Sequence, residues 1–190
     1  MSETKITIRA AVPDDAKIIA QVVAMAIGDE VALRRYCGDD YLAVLRQVAE
    51  ACDTQYSWQQ SLVAEVDGRV AGAVVGYDGA AMQRLREGTF SILDRSVGRP
   101  RTIVDECEAG EYYLDSVAVL PPFRGRGVAR ALVEAFADRA FAEGYERVGL
   151  IVDCDNPKAE RLYTSIGFER VGRREFFGHN MWHLQLEIKI

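Results

Sequence analysis

A short arginine-glycine turn set between a strand-like run and an amphipathic stretch constrains this chain more than any other feature. Residues Leu120 to Ala129 read LPPFRGRGVA. Before them come Tyr112, Tyr113, Leu114, Val117, Ala118 and Val119; after them a helical pattern runs to Gly144. Glycine lets backbone approach a ligand closely, and the first turn of a helix offers unpaired N–H groups and the positive end of a dipole. Strand, glycine turn and helix therefore make an anion site, and pyrophosphate is the guest that suits it. Arginine-glycine turns alone are common on surfaces, so the weight rests on the flanking elements.

Periodicity places the other elements around this juncture. A strand is expected at Lys5 to Arg9, then a helix from Asp14 to Gly28 with Ile18, Ile19, Val22, Val23 and Ala26 at helical spacing. A second helix is expected from Asp40 to Cys52, and a hairpin from Ser61 to Asp78 turning at Asp67-Gly68. The pattern loosens from Gly79 to Gly110, with a short helix around Phe90 to Arg95. A connection of that length reads as a lid or acceptor-site insertion. A strand at Glu111 to Val119, a helix at Arg126 to Glu143 and a strand at Arg147 to Val152 follow. The helix from Pro157 to Ser165 has Asn156 as N-cap, Pro157 at its first position and Gly167 at its end. Strands at Glu169 to Phe176 and Met181 to Ile188 complete the chain.

At 190 residues and 49% hydrophobic content the chain fits a single domain, residues 1–190, with the 79–110 insertion inside it. No apolar run approaches the roughly 18 residues of a membrane span, and MSETKITIRA lacks the apolar core of a signal peptide. Cys37, Cys52, Cys107 and Cys154 are scattered without a CxxC pair, which points to free thiols in the cytoplasm. The net charge is −6, from 29 acidic and 23 basic residues, the wrong sign for a nucleic-acid binder. The local exceptions, Arg95, Arg99 and Arg101 and later Arg170, Arg173 and Arg174, read as solvated charges.

The turn resembles motif A of the GCN5-related N-acetyltransferase (GNAT) family, with Arg124, Gly127 and Ala129 at the patterned places. The resemblance continues at IRAAVPDDA (Ile8 to Ala16), similar to the family's first strand and helix entry. DNPKAERLYTSIGF (Asp155 to Phe168) is similar to its motif B. The resemblance implies an α/β fold: a mixed, mostly antiparallel central sheet, splayed between its fourth and fifth strands and flanked by helices. It implies acetyl-CoA as cosubstrate, without a metal, and a primary amine as acceptor. Val117, Ala118 and Val119 would meet pantetheine and acetyl group. Arg124, Gly125, Arg126, Gly127, Val128, Ala129 and Arg130 would meet the pyrophosphate, and Asn156, Ala159 and Tyr163 would border the cofactor from the helix beyond.

Amine attack on a thioester needs a base, an oxyanion donor and an acid for the leaving thiolate. The N–H of Val117 suits the oxyanion. Tyr163 matches the family tyrosine that protonates sulfur, although its place on an apolar stripe also fits a packing role. Asp115, an acid inside an apolar strand, and Glu111 at the strand entrance are both candidates for the base, and a water chain is the alternative. Strand alternation puts Asp115 on the face of Tyr113, Val117 and Val119, unless a bulge intervenes. The glutamate position of histone-type members falls here on Tyr113, a departure from that pattern. His179 and His183 lie about 13 Å apart on one strand, too far to share an ion, and either would border the acceptor or pack. A small cationic amine is the expected acceptor, with no nucleic acid or membrane partner and a homodimer left open. The competing readings are a protein N-terminal or lysine acetyltransferase and a non-catalytic CoA-binding sensor.

Overall fold

The alternating residues of Ser61 to Asp78 do form a hairpin, and it sits near the centre of the sheet. In the computed structural model, which describes residues 5–98 and 104–188, the hairpin is β2 (Ser61–Val66) and β3 (Arg69–Asp78). Asp67 and Gly68 both take positive φ at the turn. With β1 (Ile6–Ala10), β4 (Tyr112–Val119), β5 (Arg147–Asp153), β6 (Glu169–Phe176) and β7 (His179–Glu187) they make one seven-stranded sheet in the order β1-β2-β3-β4-β5-β7-β6. Every neighbouring pair is antiparallel except β4 and β5. The mixed, mostly antiparallel α/β fold expected above is the one observed.

Helices cover both faces. On one side lie α1 (Ala16–Ile27), α2 (Glu30–Cys37), α3 (Tyr41–Glu50) and α4 (Met82–Val97), which close a core with Val63, Ala73 and Val75. On the other, α5 (Val128–Ala142) packs Leu132, Val133 and Phe136 onto Ala64, Val74 and Leu114, and α6 (Pro157–Ile166) joins that core through Tyr163. Gly28, with φ of 68°, ends α1 where the sequence expected its stop. Among the described residues no helix is long and apolar enough to cross a membrane.

Two elements depart from expectation. Sequence periodicity gives no element between Gly28 and Asp40, where α2 stands, because an eight-residue helix that buries only Leu33, Tyr36 and Cys37 leaves too short a stripe to stand out. α4 replaces the loose segment and its short helix at Phe90 to Arg95 with 16 residues of helix. Its buried face mixes Met82, Leu85, Ile92 and Leu93 with Arg86 and Thr89, and these two polar residues break the apolar periodicity. The helix packs against α2 and α3. Arg99 and Arg101 lie outside the described residues.

Candidate active site

The cleft begins where two parallel strands stop pairing. β4 and β5 are in register only at Tyr112 with Val148 and Tyr113 with Gly149; beyond these residues they separate. On its other edge β4 slips against β3. Gly76 pairs with Leu114 and Val75 with Ser116, so Asp115 is the extra residue of a bulge. The slip inverts the faces: Tyr112 and Leu114 point into the core under α5, and so do Val117 and Val119. Simple alternation is thereby corrected. Asp115 shares the side of Tyr113, whose ring packs at a tilt against Tyr77, and not that of Val117 and Val119.

The same slip decides which main-chain groups face the gap. The Leu120 N–H bonds the Ala71 carbonyl on β3. By alternation Ala118 and Ser116 also turn their polar groups towards β3, while Val117 and Val119 turn theirs to the side β5 has left. Of the three residues expected at the acetyl and pantetheine positions, Val117 and Val119 thus present main chain to the cleft. Ala118 does not, since its carbonyl is directed at Gly72 of β3.

The cleft, about 680 Å³, is lined on one wall by Leu114, Asp115, Ser116, Val117 and Leu150 to Asp153, with Asn156, Ala159 and Tyr163 beyond. Buried polar groups gather at its inner end. Asp115 Oδ2 accepts from the Tyr77 hydroxyl at 2.8 Å and Oδ1 from Ser116 Oγ at 2.9 Å. Gln55 Nε2 donates to the Tyr77 oxygen at 2.9 Å and lies 3.4 Å from Glu106 Oε1. Arg86 Nη2 stands 3.5 Å from the same Glu106 oxygen. Burial, and then the charge of Asp115, push the Glu106 carboxyl up to about 8, with Arg86 and Gln55 opposing in part. Burial likewise raises the Asp115 carboxyl, with Tyr77 and Ser116 holding it down in part. Asp115 still reaches the cleft surface, but protein encloses it on the sheet side, and a carboxylate so placed loses hydration. Glu106 escaped sequence reasoning because it lies in irregular chain before β4, with no periodicity to single it out.

Glu111 sits elsewhere. It is 1% exposed and is not among the residues that line the cleft. Its Oε2 receives Gln185 Nε2 at 2.8 Å and lies 2.9 Å from His183 Nε2, and its Oε1 takes the Glu108 N–H at 3.4 Å. Burial opposes ionisation, but the bonds from His183 and Gln185 outweigh it, and the carboxyl ends below its ordinary value. Glycine is required at position 149, because a Cβ there would overlap this carboxylate. His183 is therefore a packing residue of the sheet. His179 lines the cleft with its Nδ1 2.8 Å from Asp153 Oδ2.

Tyr163 comes from α6, which starts and stops as expected: Asn156 Oδ1 caps the Ala159 N–H at 3.2 Å, Pro157 is first, and Gly167 ends the helix. The Tyr163 ring packs edge-on against Phe168 at 5.8 Å, and burial pushes its hydroxyl up to about 12. Among the described residues that hydroxyl has no hydrogen-bond partner. Tyr163 thus packs its ring and also lines the cleft.

The turn fits an anion. Gly125 and Gly127 have φ of 76° and 81°, with open space where a Cβ would stand. Gly127 caps α5 without a side-chain bond, and the Ala131 N–H is the first to return to its carbonyl. The N–H groups of Val128, Ala129 and Arg130 are left without helical partners. The arginines are less available. Arg124 Nε holds the Val119 carbonyl at 3.0 Å, Arg126 lies over the Phe123 ring at 6.0 Å, and Arg130 ties α5 to α6 through Ser165 while pairing with Glu134. The anion site rests on backbone more than on charge.

A splayed β4–β5 pair, a bulge beside it, and a glycine turn under a helix define an acyltransferase scaffold. Comparison with known proteins agrees: residues 30–168 match the acetyltransferase (GNAT) family. An acetyltransferase of Pectobacterium atrosepticum is 28% identical over 73% of this chain and 88% of its own length. The mycothiol acetyltransferase of Gordonia bronchialis is 31% identical over 77% of this chain and 46% of its length. Among solved structures, an N-acetyltransferase of Staphylococcus aureus Mu50 superposes with a TM-score of 0.82 at 28% identity, covering 95% of this chain and all of that one. The chain spans 17% to 88% of the length of the first curated relatives it matches. It belongs to the GNAT family of acetyltransferases, whose enzymes use acetyl-CoA.

Proposed function

We propose that this chain transfers an acetyl group from acetyl-CoA to a small primary amine that arrives as a cation. The observation that carries the reading is the placement of two desolvated carboxylates, the half-buried Asp115 and the buried Glu106, in the cleft that Tyr163 also lines. A desolvated carboxylate pair with raised proton affinity attracts an ammonium group and is poised to take a proton from it near neutral pH. Acetyl-CoA supplies the thioester carbonyl. The backbone N–H groups at the start of α5 hold the pyrophosphate, and Val117 and Val119 offer main-chain groups to the pantetheine arm. The Val117 N–H steadies the oxygen that gains charge as the amine attacks. Asp115, in contact with Glu106 through Tyr77 and Gln55, receives the ammonium proton. Tyr163, protonated throughout the physiological range, returns a proton to the departing sulfur. Glu111 has no part in this account because its carboxylate is spent on His183 and Gln185.

The segment 79–110 supplies Arg86 and Glu106 to the cleft, which supports its role in acceptor binding. The four cysteines are all free, in keeping with a reducing cytoplasm. Thiol release from acetyl-CoA with a panel of amines, polyamines, aminoglycosides and peptides tests the reading. Turnover with small amines, slowing as ionic strength rises, is expected. Turnover confined to peptides would transfer the assignment to protein acetylation. Acetyl-CoA binding with no acceptor at all would leave a sensor.

A further inference from the structure

The β6–β7 hairpin turns on a residue poorly suited to turning. Phe176 and His179 are its last paired residues, so Phe177 and Gly178 form a two-residue loop, with φ of 49° and 78°. Positive φ at both positions is the geometry that asparagine followed by glycine adopts readily and that a phenylalanine adopts at a cost. Nor does the side chain compensate by filling a core, for Phe177 is 58% exposed. Its ring instead stands edge-on to Tyr36 of α2 at 6.3 Å and to Phe176 at 4.5 Å, and it lines the cleft. Tyr36 shares a hydrogen bond with Tyr56, and the charges of Glu106 and Asp115 are both felt at its hydroxyl. An aromatic pair therefore lines the cleft, the exposed ring of Phe177 backed by the buried ring of Tyr36.

We infer that Phe177, backed by Tyr36, selects the acceptor: its ring is the wall on which the apolar body of a primary amine rests, with the ammonium group at Asp115. The alternative of a second cation at the mouth is less well served, because two of the three aspartates there, Asp29 and Asp153 but not Asp155, are already engaged. Asp29 caps α2 through the N–H groups of Val31 and Ala32, and Asp153 holds His179. At the inner end, Asp115 takes hydrogen bonds from two neutral hydroxyls. A carboxylate held only by neutral donors, beside an aromatic pair, matches a monoamine with an aromatic or bulky apolar substituent. This assignment rests on the amine-transfer reading above.

Steady-state thiol release with 2-phenylethylamine, ethanolamine and putrescine tests it, using wild type, Phe177→Ala and Phe177→Asn. Wild type is expected to favour 2-phenylethylamine in kcat/KM. Both variants should lose about tenfold more on that amine than on ethanolamine, chiefly through KM, the scale of one lost aromatic contact. Phe177→Asn suits the turn, so its Tm should equal or exceed that of wild type while its selectivity falls. A destabilised Phe177→Asn, equal losses on all three amines, or a putrescine preference indifferent to position 177 would overturn the assignment while leaving amine transfer standing. No thiol release with any amine would instead overturn the transfer reading itself, and this inference with it.

Discussion

The Tyr77 hydroxyl donates to Asp115 Oδ2 at 2.8 Å while accepting from Gln55 Nε2. Tyr77 is itself fully buried, and desolvation keeps it protonated as a donor. The bond favours the ionised form of Asp115 and so sets where this carboxyl titrates. Tyr77→Phe should therefore shift the acidic limb of the kcat/KM profile to higher pH, with the plateau kept. A profile that keeps its midpoint while Tm falls would make Tyr77 a structural residue only.

In the proposed reaction Asp115→Asn removes the acceptor of the ammonium proton, and it should lower kcat/KM by roughly 10²-fold or more, the usual scale for general acid-base catalysis. Glu111→Gln is the contrasting variant. It breaks a buried bond to His183 and should cost about 1–3 kcal/mol of stability, with activity lost only in step with the unfolded fraction. Chemical denaturation run beside initial-rate kinetics separates the two outcomes.

Tyr163→Phe keeps the ring against Phe168 and deletes the hydroxyl that is the proposed proton donor. A fall in kcat of about 10²-fold is expected, with acetyl-CoA affinity little changed. Turnover near wild type with a saturating acceptor would leave Tyr163 as a packing ring.

Gly127→Glu should abolish acetyl-CoA binding. The substitution places a side chain and a negative charge at the helix start, where φ is 81°. Calorimetry on the folded variant decides the matter, and unchanged affinity would remove the pyrophosphate from this turn.

Two buried glutamates push stability in opposite directions with pH. Glu106 is raised in the fold, to about 8, from an unfolded value near ~4.3. Between those limits the native state binds more protons than the unfolded one, so this contribution is present below ~4.3 and is lost as pH rises through 8. Glu111 is lowered, so its contribution is present above ~4.3 and is lost as pH falls through its folded value. Unfolding free energies from pH 5 to 9 should thus decline less steeply for Glu106→Gln than for wild type. Parallel curves would contradict the burial assigned to this carboxyl.

The chain announced by itself those elements whose signals are local. The glycines of the turn, the N-cap at Asn156, the stripe of α5 and the Asp67-Gly68 hairpin are decided by residues within a few positions of one another, and each took the expected form. The site resisted such reading for a different reason. Whether Val117 and Val119 share the face of Asp115 turns on a one-residue slip between β3 and β4, which reverses every side chain beyond it and cannot be seen in β4 alone. Glu111 looked as eligible as Asp115 until the fold supplied His183 and Gln185, 72 and 74 residues away, and Gly149 to make room. Glu106 carried no periodic signal, and only long-range packing of α4 and Gln55 around it gives the second buried carboxylate. Local sequence sets torsions and caps; the desolvation and pairing that distinguish one carboxylate from another come from partners distant in the chain, and tertiary structure alone brings those together.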